Sequence, residues 1–420
     1  MNRTTGARLS ALLPPTSRVF LLADYLGRTR SRSGDRADAG VELFTVLTGK
    51  EPSQSLLKNG HREAKRLKRL SSKSLIERVA SLRSVPRAIA TVRALLLEAR
   101  RMVHITPSEA ERASSLAELI TTHGPACAVR GVGSLCLAYR GNALRADARL
   151  RDARPYFRRA VQELRTERAP AWVRGEVAAL HASLLKDSRQ LGEAESRLEE
   201  AISAFSDAGD RQGVSRARLS MAECKSLGGE PERALGILLD ELAELDHFAH
   251  SKLALTGLHN VCYQLCFCDD AELAAYLFDL LAPHYGRYGD RSALLRRRWL
   301  QGVITRGLKD VDAAESAFRD TLSSFISEGH PFLAGFVALE LAALLVESGR
   351  SQEVVELTGE LTRLFESQGV HREAKAAIVL FHQAAQKKRL TAALVAELRA
   401  FLERSQVDRE TVFRLTQATG

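Results

Sequence analysis

No cysteine precedes Cys127, and only six occur in 420 residues. So sparse a set, with no secretion signal, argues against a disulfide framework and predicts a reducing, cytoplasmic setting. Long apolar runs are missing too, since none approaches the roughly 18 residues needed to span a bilayer. The stretch Val19–Leu26 is too short for a signal segment and is interrupted by Asp24. Catalytic motifs are also lacking. There is no G-x-x-x-x-G-K-[ST] phosphate loop, no H-E-x-x-H zinc helix and no G-x-S-x-G nucleophile elbow. Acidic residues are spread as helix-surface charge, with none in an obvious catalytic pair. These absences predict a chain that is not an enzyme and holds no cofactor and no metal.

Negative charge is scarce in one place only. Residues 1–104 carry 21 Lys and Arg against 8 Asp and Glu, a balance of +13; the remainder carries 40 against 43, a balance of −3. The high pI therefore belongs to the N-terminal quarter, and the asymmetry suggests two functional parts. Residues 1–40 contain Pro14, Pro15 and the polar, glycine-punctuated run Arg28–Gly40, a composition that predicts disorder. Residues 41–87 read as a basic helical segment. There Lys58, Arg62, Lys65, Arg66, Lys68, Arg69, Lys73 and Arg78 interleave with leucines at spacings of three and four, as on an amphipathic helix. Such a surface suits phosphate or an acidic protein, but it also suits a solvated face whose leucines dock on the next helices. It lacks the glycine-marked turn of a helix-turn-helix and the interleaved aromatics that stack bases.

What is abundant is a period. Ala153, Ala194, Ala234, Ala274, Ala314 and Val354 are separated by steps of 41, 40, 40, 40 and 40. Twelve residues before each stands a small side chain: Gly141, Ala182, Ala222, Cys262, Gly302 and Ala342. Four residues after each stands Phe157, Leu198, Leu238, Phe278, Phe318 or Thr358. Small residues let two helix axes approach, and the bulky one fills the gap to the next unit. Turn signals keep the same beat inside units, at Gly228-Gly229, Asp269-Asp270, Lys309-Asp310 and Gly349-Arg350, and between units, at Gly209-Asp210, Gly289-Asp290, Gly329-His330 and Gly369-Val370. No window alternates with the period of two that marks a strand. The pattern predicts an all-α solenoid of antiparallel helix pairs over 88–404, with a tail at 405–420. Degenerate flanking units fall at Ala113 with Ala117 and at Leu394 with Leu398. Their partners twelve residues back, Arg101 and His382, are not small.

The signature resembles the tetratricopeptide repeat (TPR), stretched from its usual length to about 40 residues. Its best matches run from Arg140-Gly141-Asn142 to Ala160 and from Trp299-Leu300-Gln301-Gly302 to Thr321. The whole of 88–404 is similar to bacterial TPR proteins, especially at Leu295–Phe318 and His371–Ala385. The resemblance implies a right-handed superhelix whose first helices line a concave groove. Related proteins often carry an N-terminal zinc-binding segment like that of anti-sigma factors. With no cysteine before Cys127, a cysteine-based finger is excluded here. Long helical repeats also occur in the sensor arrays of bacterial transcription regulators.

On the groove-lining helices, Asn142, Arg145, Asn260, Arg296, Arg297 and Arg298 resemble the donors of carboxylate-clamping TPR modules. Arginine offers a bidentate fork and asparagine pairs with peptide groups. Trp299 reads as a packing residue. Cys262, Cys266 and Cys268, with Asp269 and Asp270, have metal-like spacing, but Cys262 holds the small position of its repeat and cysteine favours burial. His247 and His250 stand three apart with no third ligand fixed beside them. The expected function is a non-catalytic scaffold or sensor that binds a protein or peptide in its groove. The alternative is a nucleic-acid-associated regulator that uses Lys65, Arg66, Lys68, Arg69 and Lys73, with the array as effector sensor.

Overall fold

The computed structural model describes residues 42–367, apart from 104, 148, 167, 189, 246–250, 289–290 and 329–330, together with Val395 and Leu398. The segment expected to be disordered (1–40), the tail at 405–420, the linkers at 289–290, 329–330 and 369–370, the stretch 371–385, and His247 and His250 lie outside the described residues. Among the described residues there are seventeen α-helices and no strand. They fall into two compact units, one over Ala39–Cys224 and one from Lys225 onward.

The first unit contains α1 (Leu43–Thr48), α2 (Gln54–Leu67), α3 (Ser72–Ala80), α4 (Val85–Met102) and α5 (Pro107–His123). After a 3-10 turn at Pro125–Ala128 come α6 (Val132–Ala146), α7 (Leu150–Thr166), α8 (Ala171–Asp187), α9 (Leu191–Asp207) and most of α10 (Arg211–Leu227). The second unit contains α11 (Pro231–Glu244), α12 (Ser251–Phe267), α13 (Ala271–Tyr288), α14 (Arg291–Gly307), α15 (Val311–Ser327), α16 (Pro331–Glu347) and α17 (Ser351–Ser367). From α4 to α9 and from α11 to α17 helices pack against their neighbours in sequence, and first helices also touch the next first helix, as α6 does α8 and α12 does α14. That connectivity is the mark of a repeat array, in which each unit buries its apolar face only by stacking on the next.

Every position of the forty-residue signature is buried. Ala153, Ala194, Ala234, Ala274, Ala314 and Val354 are sealed from solvent, and the small and bulky positions are buried with them. Size is matched across each pair of helices. A Cβ on Gly141 would lie 2.8 Å from Cε2 of Phe157, and one on Gly302 would lie 2.6 Å from Cε1 of Phe318. Glycine is therefore required opposite Phe157 and Phe318, while in the pattern Ala182 stands opposite Leu198 and Cys262 opposite Phe278. Burying one such phenylalanine contributes about 1.5–3 kcal/mol.

The turn between first and second helix is the same structure six times. The backbone N–H of Arg149, Gln190, Glu230, Asp270, Asp310 and Arg350 donates to the carbonyl five residues back, at 2.8–2.9 Å. This is the long bond of a Schellman turn, which ends a helix by taking up one of its free carbonyls. The residue before the donor is left-handed at Gly229, Asp269, Lys309 and Gly349, with φ of 79°, 57°, 63° and 72°. Two of the four are not glycine, so those turns carry local strain.

Residues 43–82 are docked on the array. Leu43, Phe44, Ala64, Leu67 and Val79 are buried, and Gly60 of α2 lies so close to α4 that a Cβ would come within 2.5 Å of the Ala90 backbone. Glu42 accepts from Arg93 at 2.6 Å, and Glu63 receives both arms of Arg78 at 2.6 and 2.7 Å.

Candidate functional site

The first helices α4, α6, α8 and α10 of the first unit meet in a buried polar network. Its centre is Glu176 of α8, only 2% exposed. Tyr139 of α6 donates its hydroxyl to Oε1 at 2.8 Å, and Arg216 of α10 donates to Oε2 at 3.3 Å. Arg100 of α4 adds its positive field to both Glu176 and Tyr139. Burial opposes the charge on Glu176, but Arg216, Arg100 and the bond from Tyr139 outweigh it and hold the carboxyl below its usual range. Burial pushes the Tyr139 hydroxyl well up, so it stays a donor. Arg216 also lies over the Phe205 ring at 5.6 Å, and its Nε is buried without a partner.

A second anchor lies nearby. Asp210 accepts the indole N–H of Trp172 at 2.8 Å and the backbone N–H of Gly213 at 2.9 Å. The Gly209-Asp210 linker thus performs the expected cap and also ties α8 to α10.

Asn142 and Arg145 are on α6, but they face each other. Arg145 Nε donates to Asn142 Oδ1 at 2.9 Å, and its terminal nitrogen pairs with Asp187 of α8 at 2.5 Å. The pattern repeats in the second unit, where Arg306 of α14 pairs with Glu347 of α16 at 2.8 Å and with Glu340 at 2.8 Å. Both arginines stand four residues after the small position, and both partners stand five after the next one. These pairs tie consecutive first helices together.

In the second unit, Arg296 is exposed, Asn260 is half-buried, and Arg297 and Arg298 are partly covered. Arg297 lies over Phe278 at 5.2 Å and Tyr285 at 5.7 Å, and Arg298 reaches Asp320 and, at 3.2 Å, Gln301. His259 of α12 meets the Tyr285 hydroxyl at 2.6 Å, and burial, with help from Arg296, lowers its pKa to about 4. Trp299 packs against the apolar core of this unit. Cys262 is buried, Cys266 bonds the Cys262 carbonyl at 3.4 Å, and burial pushes its thiol up to about 12. Among the described residues no three His, Cys, Asp or Glu side chains converge as metal ligands would.

Of the basic residues on α2 and α3, Lys65, Arg66, Arg69 and Lys73 are exposed. Lys68 is engaged, at 2.6 Å from Glu98 and 3.1 Å from Glu109. Sequence reasoning missed Arg100, Tyr139, Glu176 and Arg216. One signal was available: Glu176 and Arg216 stand 40 residues apart, each six before a small position, where a leucine or alanine would have served packing.

No helix among the described residues is long and apolar enough to cross a membrane. No family model matches the sequence, and no curated protein matches it. Solved structures share the fold, two of them as follows. Aspartyl phosphate phosphatase F from Bacillus subtilis matches with a TM-score of 0.54 at 12% identity, over 83% of this chain and 93% of that one. A Rap protein complexed with competence and sporulation factor matches with a TM-score of 0.52 at 11% identity, over 85% of this chain and all of the other. At such identities the likeness concerns the fold, and the chain is a TPR-like α-solenoid.

Proposed function

We propose that this chain is a non-catalytic regulatory scaffold that recognises a peptide or protein segment on the first-helix face of its repeats. One observation carries the reading: four successive first helices converge on a buried, charged network centred on Glu176. Removing a carboxylate from water costs several kcal/mol, and packed leucines would stabilise the stack better. A network retained at that cost fits a recognition surface, where Glu176 orients Arg216 and Arg100 for a carboxylate or carbonyl of the ligand. The fold shared with a Rap protein solved in complex with competence and sporulation factor supports it. In the second unit, Arg296, Arg297, Arg298 and Asn260 are the proposed contacts. In the first, Asn142 and Arg145 support the face from within.

The test is selection of binding segments from a displayed peptide library by the full chain, followed by Arg100→Glu. The reading expects selected segments to share an acidic group or a free C-terminus, and to lose at least tenfold in affinity on that substitution. Segments that bind Arg100→Glu unchanged would count against it.

A second reading has its own observation, the four exposed cations within residues 65–73. Here the basic helices meet nucleic acid while the array responds to an effector. Affinity for a DNA or RNA duplex would then fall steeply with salt and fail when Lys65, Arg66, Arg69 and Lys73 are replaced by glutamate. Because α2 packs on α4, substitution is the sound test and deletion of 1–85 is not.

A further inference from the structure

A cavity of about 540 Å³ opens between α7, α8 and α9, within the first unit. Its walls bring together Arg154, Arg158 and Arg165 of α7, Arg197 of α9, His181 of α8 and Ser188 at the C-cap of α8, and among the described residues no carboxylate lines it. The three α7 arginines fall on one helix face at i, i+4 and i+11. They are exposed, and among the described residues none has a hydrogen-bond or ion-pair partner. Their neighbours do: Arg149 reaches Glu111 and Asp152, Arg159 reaches Glu163, and Arg197 binds Glu200 at 2.6 Å. Like charges four residues apart on a helix are destabilising, so Arg154 and Arg158 oppose each other until something negative comes between them.

The cavity also holds buried polar atoms that the fold leaves unused. Ser188 is 8% exposed and its Oγ has no partner, and Nδ1 of His181 has none either. The imidazole is stacked on Phe157, ring centroids 5.3 Å apart and planes 11° apart, so it is held rigidly. A set of guanidiniums around a hydroxyl and a neutral imidazole is a complete donor set for phosphoryl oxygens. The volume falls within the range of small-ligand sites, about 300–1,000 Å³.

We propose that this cavity binds a small polyanion, a compound carrying two or more phosphate groups. A small polyanion is favoured over an acidic protein surface because arginines from two helices converge on one space of small-ligand size. The site is built on α7 and α9, second helices of their repeats, and does not depend on the first-helix reading.

The experiment is calorimetric titration of the full chain with inorganic pyrophosphate, with inorganic phosphate as the weaker comparator. Saturable one-to-one binding is expected, weakened at least tenfold by the pair Arg154→Gln and Arg158→Gln. The control pair Arg83→Gln and Arg211→Gln, exposed and outside the cavity, is expected to leave it unchanged. Circular dichroism of each variant confirms folding, since all four positions are exposed. His181 supplies an independent readout. It is lowered to about 4 by burial and by Arg197, against the opposing pull of Glu193 and Glu200 on α9, and the α7 arginines face the same space. Bound pyrophosphate is expected to raise that titration midpoint, read by NMR. Absence of saturable binding would overturn the proposal. So would binding lost in the control pair but kept in the cavity pair, or capture of a poly-glutamate peptide that pyrophosphate does not displace.

Discussion

The two units share a framework and differ in the chemistry they put on it. In the first, first-helix residues surround a buried carboxylate, Glu176, with a phenol and guanidiniums. In the second, an imidazole meets a phenol, and Arg297 lies over Phe278 and Tyr285 with its Nε unpaired. The signature positions beneath are equally buried in both. A repeat therefore constrains only the positions where helices touch, and leaves a few positions per unit free for function.

The shared framework is the easiest part to break. Phe318→Ala is expected to lower unfolding free energy by about 3–5 kcal/mol in denaturant titrations. Gly302→Ala alone forces a Cβ into the Phe318 ring and is expected to cost about 1–3 kcal/mol. Combining Gly302→Ala with Phe318→Leu recreates the pairing of Ala182 with Leu198 and should recover most of that loss. Strictly additive losses would mean that the size match is not what couples the two positions.

The difference between units is sharpened by removing each centre. Glu176→Leu leaves Arg216 and Arg100 without their carboxylate and is expected to cost about 3 kcal/mol. Arg297→Met removes an unpaired donor and a cation–ring contact, and is expected to change stability by less than about 1 kcal/mol. Equal losses would erase the distinction.

A smaller effect depends on pH. The unfolded chain protonates His259 near its ordinary 6.5, whereas the fold keeps it neutral down to about 4. Its contribution to stability is full above about pH 6.5, is lost as pH falls towards 4, and levels off below that. The loss is at most about 3 kcal/mol, less for a half-buried ring. His259→Gln should flatten that part of a stability-against-pH curve, and an unchanged curve would assign the slope to other groups. One expected change is a gain. Lys309→Gly relieves a left-handed residue at φ 63° and should stabilise by about 1 kcal/mol, read as a higher Tm.

The fold was legible because packing repeats. Eighteen signature residues and the turn pairs recur about every forty residues, and periodic selection on size leaves a trace in one sequence. Which polar side chains meet is harder to see. Asn142 and Arg145 had the composition of a binding pair, yet Arg145 is bound to Asp187, 42 positions away, in a tie between first helices that returns at Arg306 and Glu347. Tyr139, Glu176 and Arg216 come from three helices and meet only once the stack forms. Charge averaging hid the α7 cavity as well. Residues 105–420 sum to −3, while Leu150–Thr166 alone holds five arginines against Asp152 and Glu163.

The most direct test of segment recognition on the first helices is amide hydrogen exchange of the full chain, free and saturated with a selected binding segment. Slowed exchange in α4, α6, α8 and α10, with α7 and α9 unchanged, is the predicted result. Protection confined to α7 and α9, or to α2 and α3, would contradict it.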